Sequence, residues 1–236
     1  RRARSRETGS GGRWSLFVPL AGGMREMIDA LARRLPEGSV RLNAPVASLL
    51  QDRDGQGWNV SMKQGKGFHA DAVILATPAF RAGQLLAYTN HGAADELKRI
   101  AYASTATVNL AYRSQDFPKE LDSFGFVVPA IEHRKIMACT FSSLKYPGRA
   151  PQGKLLFRAF VGGTLQRDLF NDDDAIMEEN VRGELASLLG VTARPLFTRI
   201  WRHPNSMPQY QVGHEARIAK IESTLKEFST DRKSVV

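Results

Sequence analysis

Residues Trp201 to His214 read Trp-Arg-His-Pro-Asn-Ser-Met-Pro-Gln-Tyr-Gln-Val-Gly-His. A strand-like run, Thr198–Arg202, leads into this stretch, and a helical pattern follows it from Gly213 to Phe228. The order is therefore strand, then Met207-Pro208-Gln209-Tyr210, then Gly213-His214, then helix. Proline and glycine mark the points where one kind of structure gives way to the next.

Working back toward the start, Trp14–Leu20 reads as a short apolar strand closed by the Gly22-Gly23 pair. Met24, Met27, Ile28, Leu31 and Leu35 recur at helical spacing and form one face of an amphipathic helix, stopped by Pro36 and Gly38. Val40–Leu42, Val46–Leu50 and Trp58–Met62 read as short strands, the last two joined through an Asp54-Gly55 turn. Ala70–Ala76 is nearly unbroken apolar sequence, the pattern of a strand buried on both faces.

Beyond Leu86 the character changes. Tyr102–Tyr112, Gly125–Pro129, Ile136–Phe141 and Leu155–Val161 are strand-like and separated by proline and glycine turns, which suits an antiparallel sheet. Ile176, Met177, Val181, Leu185, Leu188 and Leu189 then form a helical stripe that starts behind the caps at Asn171–Asp174 and ends at Gly190.

The composition is that of an ordinary globular chain, 42% hydrophobic over 236 residues. The longest apolar runs, Ala72–Phe80 and Phe124–Ile131, are too short to span a bilayer as a helix, and the chain does not open on a signal segment. A single cysteine, Cys139, excludes an internal disulfide. The net charge of +9 raises nucleic acid as a partner, but residues 1–6 and 231–236 carry five of those charges. The remaining +4 shows no basic face and no recognition motif, so no nucleic-acid partner is expected.

The scattered histidines have no metal-ligand spacing, and Asp172-Asp173-Asp174 reads as a helix cap rather than a calcium loop. No serine or cysteine nucleophile motif occurs, so no catalytic acid, base or nucleophile and no metal ligand is named.

Taken together, Gly22-Gly23-Met24, Leu42-Asn43-Ala44-Pro45-Val46, Ala76-Thr77-Pro78-Ala79, Ser123-Phe124-Gly125-Phe126-Val127, Phe160-Val161-Gly162-Gly163 and Met207-Pro208-Gln209-Tyr210 occur in a distinctive order. In that order they resemble the oxygen-dependent protoporphyrinogen and coproporphyrinogen oxidases, FAD-dependent members of the amine-oxidase superfamily. The resemblance covers Ser15–Phe228 but only part of the family's length. It implies an α/β plus α+β fold: part of a Rossmann-like FAD-binding domain together with an antiparallel substrate-binding sheet. The implied divisions are a disordered tail at 1–13, partial FAD domain at 14–88, substrate domain at 89–205 and return segment at 206–230. Residues 231–236, Asp-Arg-Lys-Ser-Val-Val, read as a non-native tail of the kind a sequencing adapter encodes.

By the same resemblance, Val46 would contact FAD through its main chain, with Ala76, Pro78 and His203 as further cofactor positions. Phe124, Gly125, Val127, Thr140 and Phe160 would line the tetrapyrrole pocket. The implied reaction is oxidation of a porphyrinogen to the porphyrin, with O2 reoxidising the flavin and hydrogen peroxide released, in haem biosynthesis. A cytoplasmic location is expected, with peripheral membrane association through a region outside this chain.

Two departures bear on this. Val108 stands where many amine oxidases hold a lysine, which favours porphyrinogen over amine substrates. His203 stands where the family usually has tryptophan. No G-x-G-x-x-G phosphate-binding turn occurs, so this segment alone is expected to be inactive. The alternatives are another FAD-dependent amine oxidase or desaturase, and a non-catalytic porphyrin-binding module.

Overall fold

The computed structural model describes residues 19–53 and 55–226. Most of the expected Trp14–Leu20 strand, the expected tails at 1–13 and 231–236, Asp54 and the end of the helical pattern expected to Phe228 lie outside those residues. The elements run α1 (Met24–Ala32), β1 (Val46–Gln51), β2 (Trp58–Met62), β3 (Phe68–Ala70), α2 (Ala79–Leu85), α3 (His91–Lys98) and β4 (Tyr102–Arg113). They continue with β5 (Gly125–Val127), β6 (Ala138–Phe141), α4 (Ser142–Lys145), β7 (Lys154–Gly162), α5 (Asp174–Leu189), β8 (Phe197–Pro208) and α6 (His214–Leu225). One sheet has the order β1-β2-β3 and the other β5-β6-β7-β4-β8.

The chain divides into two compact units. One comprises residues 37–107, 161–173 and 201–236, and the other 1–36, 108–160 and 174–200. The boundaries expected near residues 88 and 205 fall inside the first of these. Residues of β4, β7 and β8 are shared out between the two.

In the first unit β1, β2 and β3 form an antiparallel sheet, Val60 opposite Leu49 on one side and Phe68 on the other. A helical layer is built around Ala93, Ile100 and Ile221, with Leu97, Ile218 and Leu225 packed against them. α2 and α3 approach closely at Gly83, where a Cβ would stand 2.7 Å from the Ala94 carbonyl oxygen. Asn90 begins α3: its Oδ1 accepts from the Ala93 amide at 2.9 Å and its Nδ2 donates to the Thr224 carbonyl at 3.1 Å. A side-chain oxygen that satisfies an otherwise unpaired amide is the usual device for starting a helix. Neither α2 nor α3 was expected from the sequence.

Two expected strands do not form. Val40–Leu42 is turn and coil, and Leu42 is 83% exposed. Only Phe68–Ala70 pairs as β3, and Asp71–Ala76 continues as irregular chain with Ile74 91% exposed. The reason is the same in both places: a strand is stable only beside another, and among the described residues no backbone ladder reaches Ala72–Ala76.

The second unit is organised by the aromatic core of the larger sheet. Phe157, fully buried, stacks on Phe117 at 5.0 Å between ring centres and meets Phe141 edge-on at 5.1 Å. Tyr112 adds an edge contact to both Phe117 and Phe157. α5 buries Met177, Val181 and Leu185, on successive turns of one stripe, and ends at Gly190 with φ 74°. Arg134 pairs with Glu184 of that helix at 3.0 Å. α1 forms where expected, yet its apolar stripe is solvent-facing: Met24, Ile28 and Leu31 are all more than half exposed.

β8 differs from the expected Thr198–Arg202 by running on to Pro208, so the strand takes in most of the stretch with which the sequence reading began. It is an edge strand beside β4. An edge strand is where proline is tolerated, and Pro204 and Pro208 both lie in this one.

Candidate functional site

In the unit that holds residues 37–107, a cavity of about 780 Å³ is lined by Val46, Val60, Val73, Leu75 and Thr77, with Lys63 and Arg81 as its cations. Val46 opens β1 at the point where the β1–β2 register slips, between Val46 and Ser48. Of the other residues expected to meet a cofactor, Ala76 and Pro78 are exposed and flank Thr77, which lines the cavity where they do not. His203 lies apart from the lining, exposed on β8, its carbonyl accepting from the Ser206 hydroxyl at 2.9 Å. An apolar hollow with a few polar groups suits a flat heteroaromatic ring. The residues present thus fit the ring-bearing end of a dinucleotide, whereas the amide cradle for its diphosphate has no counterpart in the sequence.

The other set of expected residues lies in the second unit, on the sheet. Register pairs Gly125 with Thr140 and Thr140 with Arg158; one step along, Val127 pairs with Ala138 and Ala138 with Phe160. Directly opposed residues share a face, and so do residues two apart on one strand. Gly125, Val127, Thr140 and Phe160 therefore lie on the same face. The alternate residues Phe126, Cys139, Phe141, Phe157 and Ala159 form the opposite face, where Cys139, Phe141, Phe157 and Ala159 are buried in the core. Phe124 precedes β5 and is half exposed, its carbonyl accepting from the Phe141 amide at 3.0 Å.

Gly125 cannot be another residue at this register. Its φ is 137°, and a Cβ there would stand 2.2 Å from the Cys139 carbonyl oxygen. The sheet therefore has a strip of bare backbone beside Thr140. Val127 is 80% exposed, which makes this an apolar face open to a ligand.

The core side of the same sheet is chemically quiet. Burial pushes the Cys139 thiol up to about 12, leaving it protonated and unreactive. Burial likewise pushes the Tyr112 phenol up to about 12. His69 is held by Asp52, Nε2 to Oδ2 at 2.7 Å, and Asn59 Nδ2 donates to the other oxygen of that carboxylate, so this cluster ties down the β1–β2 hairpin. Among the described residues no group of three metal-ligating side chains converges.

The model of the flavin containing amine oxidoreductases matches residues 4–228. The chain belongs to that family. Within the family it is 37% identical, over 215 residues, to a coproporphyrinogen III oxidase of Propionibacterium freudenreichii subsp. freudenreichii, covering 90% of this chain and 39% of that protein. A crystal structure assigned to protoporphyrinogen oxidase, from Exiguobacterium sp. 255-15, superposes with a TM-score of 0.76 at 27% identity, over 89% of this chain and 45% of that one. A putrescine oxidase structure superposes at 0.64 with 16% identity, over 91% of this chain and 45% of its own, a likeness of fold alone. The chain thus spans less than half the length of these relatives.

Each compact unit holds one group of the expected site residues. Val46, Ala76, Pro78 and His203 fall in the first, and Phe124, Gly125, Val127, Thr140 and Phe160 in the second. Sequence reading passed over Arg158 and Asn109, which share the face with Thr140 and Phe160. The signal was available: Arg158 lies two residues before Phe160, and strand side chains repeat with period two.

Proposed function

We propose that this chain is the central segment of an FAD-dependent oxidase that converts a porphyrinogen, protoporphyrinogen IX or coproporphyrinogen III, to the porphyrin with O2 as acceptor, in haem biosynthesis. The observation that carries the reading is the shared face of Gly125, Val127, Thr140 and Phe160. A flat macrocycle needs a broad, shallow, mostly apolar surface, and area burial supplies most of its binding. The glycine lowers one edge of that surface, and Val127 and Phe160 supply its apolar ground. The names of the porphyrinogen-oxidising relatives support the same substrate class.

Flavin, when bound, supplies the hydride-accepting chemistry. The contribution of these residues is to orient the ring and keep water from it. In this reading Val46 meets the cofactor through its main chain, with Ala76 and Pro78 beside the lining residue Thr77 and His203 a further contact away from that cavity. Val108, fully buried, leaves that position without the cation that many amine oxidases hold there, which favours a porphyrinogen over an amine. We place the protein in the cytoplasm, with peripheral membrane attachment through a region outside this chain; among the described residues no helix is long and apolar enough to cross a membrane.

The test is to express the complete reading frame and supply each porphyrinogen under anaerobic conditions. Porphyrin fluorescence that grows on admitting oxygen, faster than autoxidation, is expected for at least one of them. No rate above the enzyme-free control with either would end the reading. The 236-residue chain by itself has no G-x-G-x-x-G turn and is expected to purify without the yellow absorbance of a flavin; a stoichiometric band would overturn that.

A further inference from the structure

Arg158 stands opposite Thr140 in the β6–β7 register and two residues before Phe160, on the face just described. It is exposed, and its position is fixed from one side. Nε donates to Oδ1 of Asn109 at 2.9 Å, and Nδ2 of Asn109 donates to the Arg199 carbonyl at 3.2 Å. With Nε engaged, the two terminal nitrogens retain four N–H donors. Among the described residues no carboxylate forms an ion pair with Arg158.

The face therefore has two parallel rows across its strands. The polar row is Gly125, Thr140 and Arg158; the apolar row is Val127, Ala138 and Phe160. Neighbours across strands lie about 5 Å apart and same-face residues along a strand about 7 Å apart. A flat ring laid on the apolar row thus has an edge substituent within about 7 Å of the guanidinium. Gly125 and Ala138 keep the surface low, so nothing bulky rises between ring and cation. A guanidinium held at Nε and open at its ends offers the paired, planar donors that a carboxylate accepts best.

We propose that Arg158 anchors a carboxylate of a flat macrocyclic acid lying on the Val127–Ala138–Phe160 row, with Asn109 as its positioning residue. This rests on the porphyrinogen reading of the face. It assigns the acidic side chains of the substrate, rather than the ring, as the feature that sets its orientation on this sheet.

Coproporphyrin III, titrated into the 236-residue chain and into the complete flavoprotein with binding followed by fluorescence, tests the assignment. Arg158→Ala is expected to weaken binding about tenfold, the scale of one charge-assisted contact kept partly in water. Arg158→Lys should recover part of the loss, since it keeps the charge and gives up the fork. The tetramethyl ester of coproporphyrin, which carries no carboxylate, should bind the unsubstituted chain and Arg158→Ala alike. Equal affinity of Arg158→Ala and the unsubstituted chain for the free acid would overturn the anchor while leaving the porphyrin reading intact. A loss that extends equally to the ester would also overturn it, by showing a structural role. No binding of either porphyrin by the unsubstituted proteins would sink the porphyrinogen reading, and the anchor with it.

Discussion

Lys220 Nζ donates to Glu96 Oε1 at 2.7 Å, joining α6 to α3 across 124 residues of chain. The two ends are unequally placed: the Glu96 side chain is 8% exposed and that of Lys220 61%. Arg99 at 3.2 Å and Arg217 at 3.4 Å complete a cationic ring around the one carboxylate. A buried carboxylate is tolerated only when it is paired and hydrogen-bonded, as this one is.

The Lys220 hydrogen bond, opposed by burial and helped by the charges of Lys220, Arg99 and Arg217, holds the Glu96 carboxyl below its ordinary value of 4.5. A carboxyl depressed in the folded state stabilises it above the unfolded value, and that contribution disappears as pH falls through the folded value. Thermal melts from pH 7 down to pH 3 are therefore expected to show a loss of stability beginning near the ordinary carboxylate range. Glu96→Gln should melt lower at neutral pH and lose less on acidification. An acid limb of the same size in both proteins would show that Glu96 is not its source.

Gly125→Ala is expected to destabilise the second unit by about 2–3 kcal/mol, because it forces a side chain into a left-handed backbone and against a neighbouring strand. Urea titration followed by far-ultraviolet circular dichroism would measure it. A change under about 0.5 kcal/mol, the size of an ordinary surface substitution, would show that β5 can shift out of this register.

Phe157→Ala removes the ring at the centre of the aromatic core. The expected cost is about 3–5 kcal/mol, the range for emptying a well-packed aromatic site. Since Arg158 is the next residue and points to the other face, a matched Arg158→Ala should cost far less stability. Comparing the two midpoints in one denaturant series checks the assignment of faces.

Cys139 should resist thiol reagents at pH 8 in the folded chain and react fully in denaturant, because its raised value leaves almost no thiolate. Tyr112 gives the complementary alkaline limb. Its folded value of about 12 lies above the ordinary 10, so its contribution is complete below pH 10 and fades as pH rises toward 12. Tyr112→Phe should flatten that limb; an unchanged limb would assign it to other groups.

Much of the sheet was legible because its signals are local. β2 matches its expected bounds, β4 and β7 match to within a residue, and α5 ends at the glycine that was to end it. What could not be read depended on partners. Val40–Leu42 and Ala72–Ala76 have the composition of strands, but hydrogen-bonded neighbours decide whether a strand exists. α2 and α3 were missed because the apolar residues they bury are small: Ala82, Gly83, Ala93 and Ala94 pack by close backbone approach. At the site, the residues expected to line a pocket were named one by one from the resemblance, and the register places four of them on one face. Asn109 and Arg158 were not found, since an asparagine and an arginine on a strand look like ordinary solvent-facing residues until the cross-strand pairing is known.

The run Ala72–Ala76 has a further consequence, in the time domain. Its amides have no carbonyl partners among the described residues, so their hydrogens should exchange with solvent almost as fast as in an unstructured peptide. Those of β2, bonded on both sides, should be slowed by the opening free energy of its sheet. Trp58–Met62 and Ala72–Ala76 would then differ in exchange by orders of magnitude, the more apolar of the two exchanging the faster.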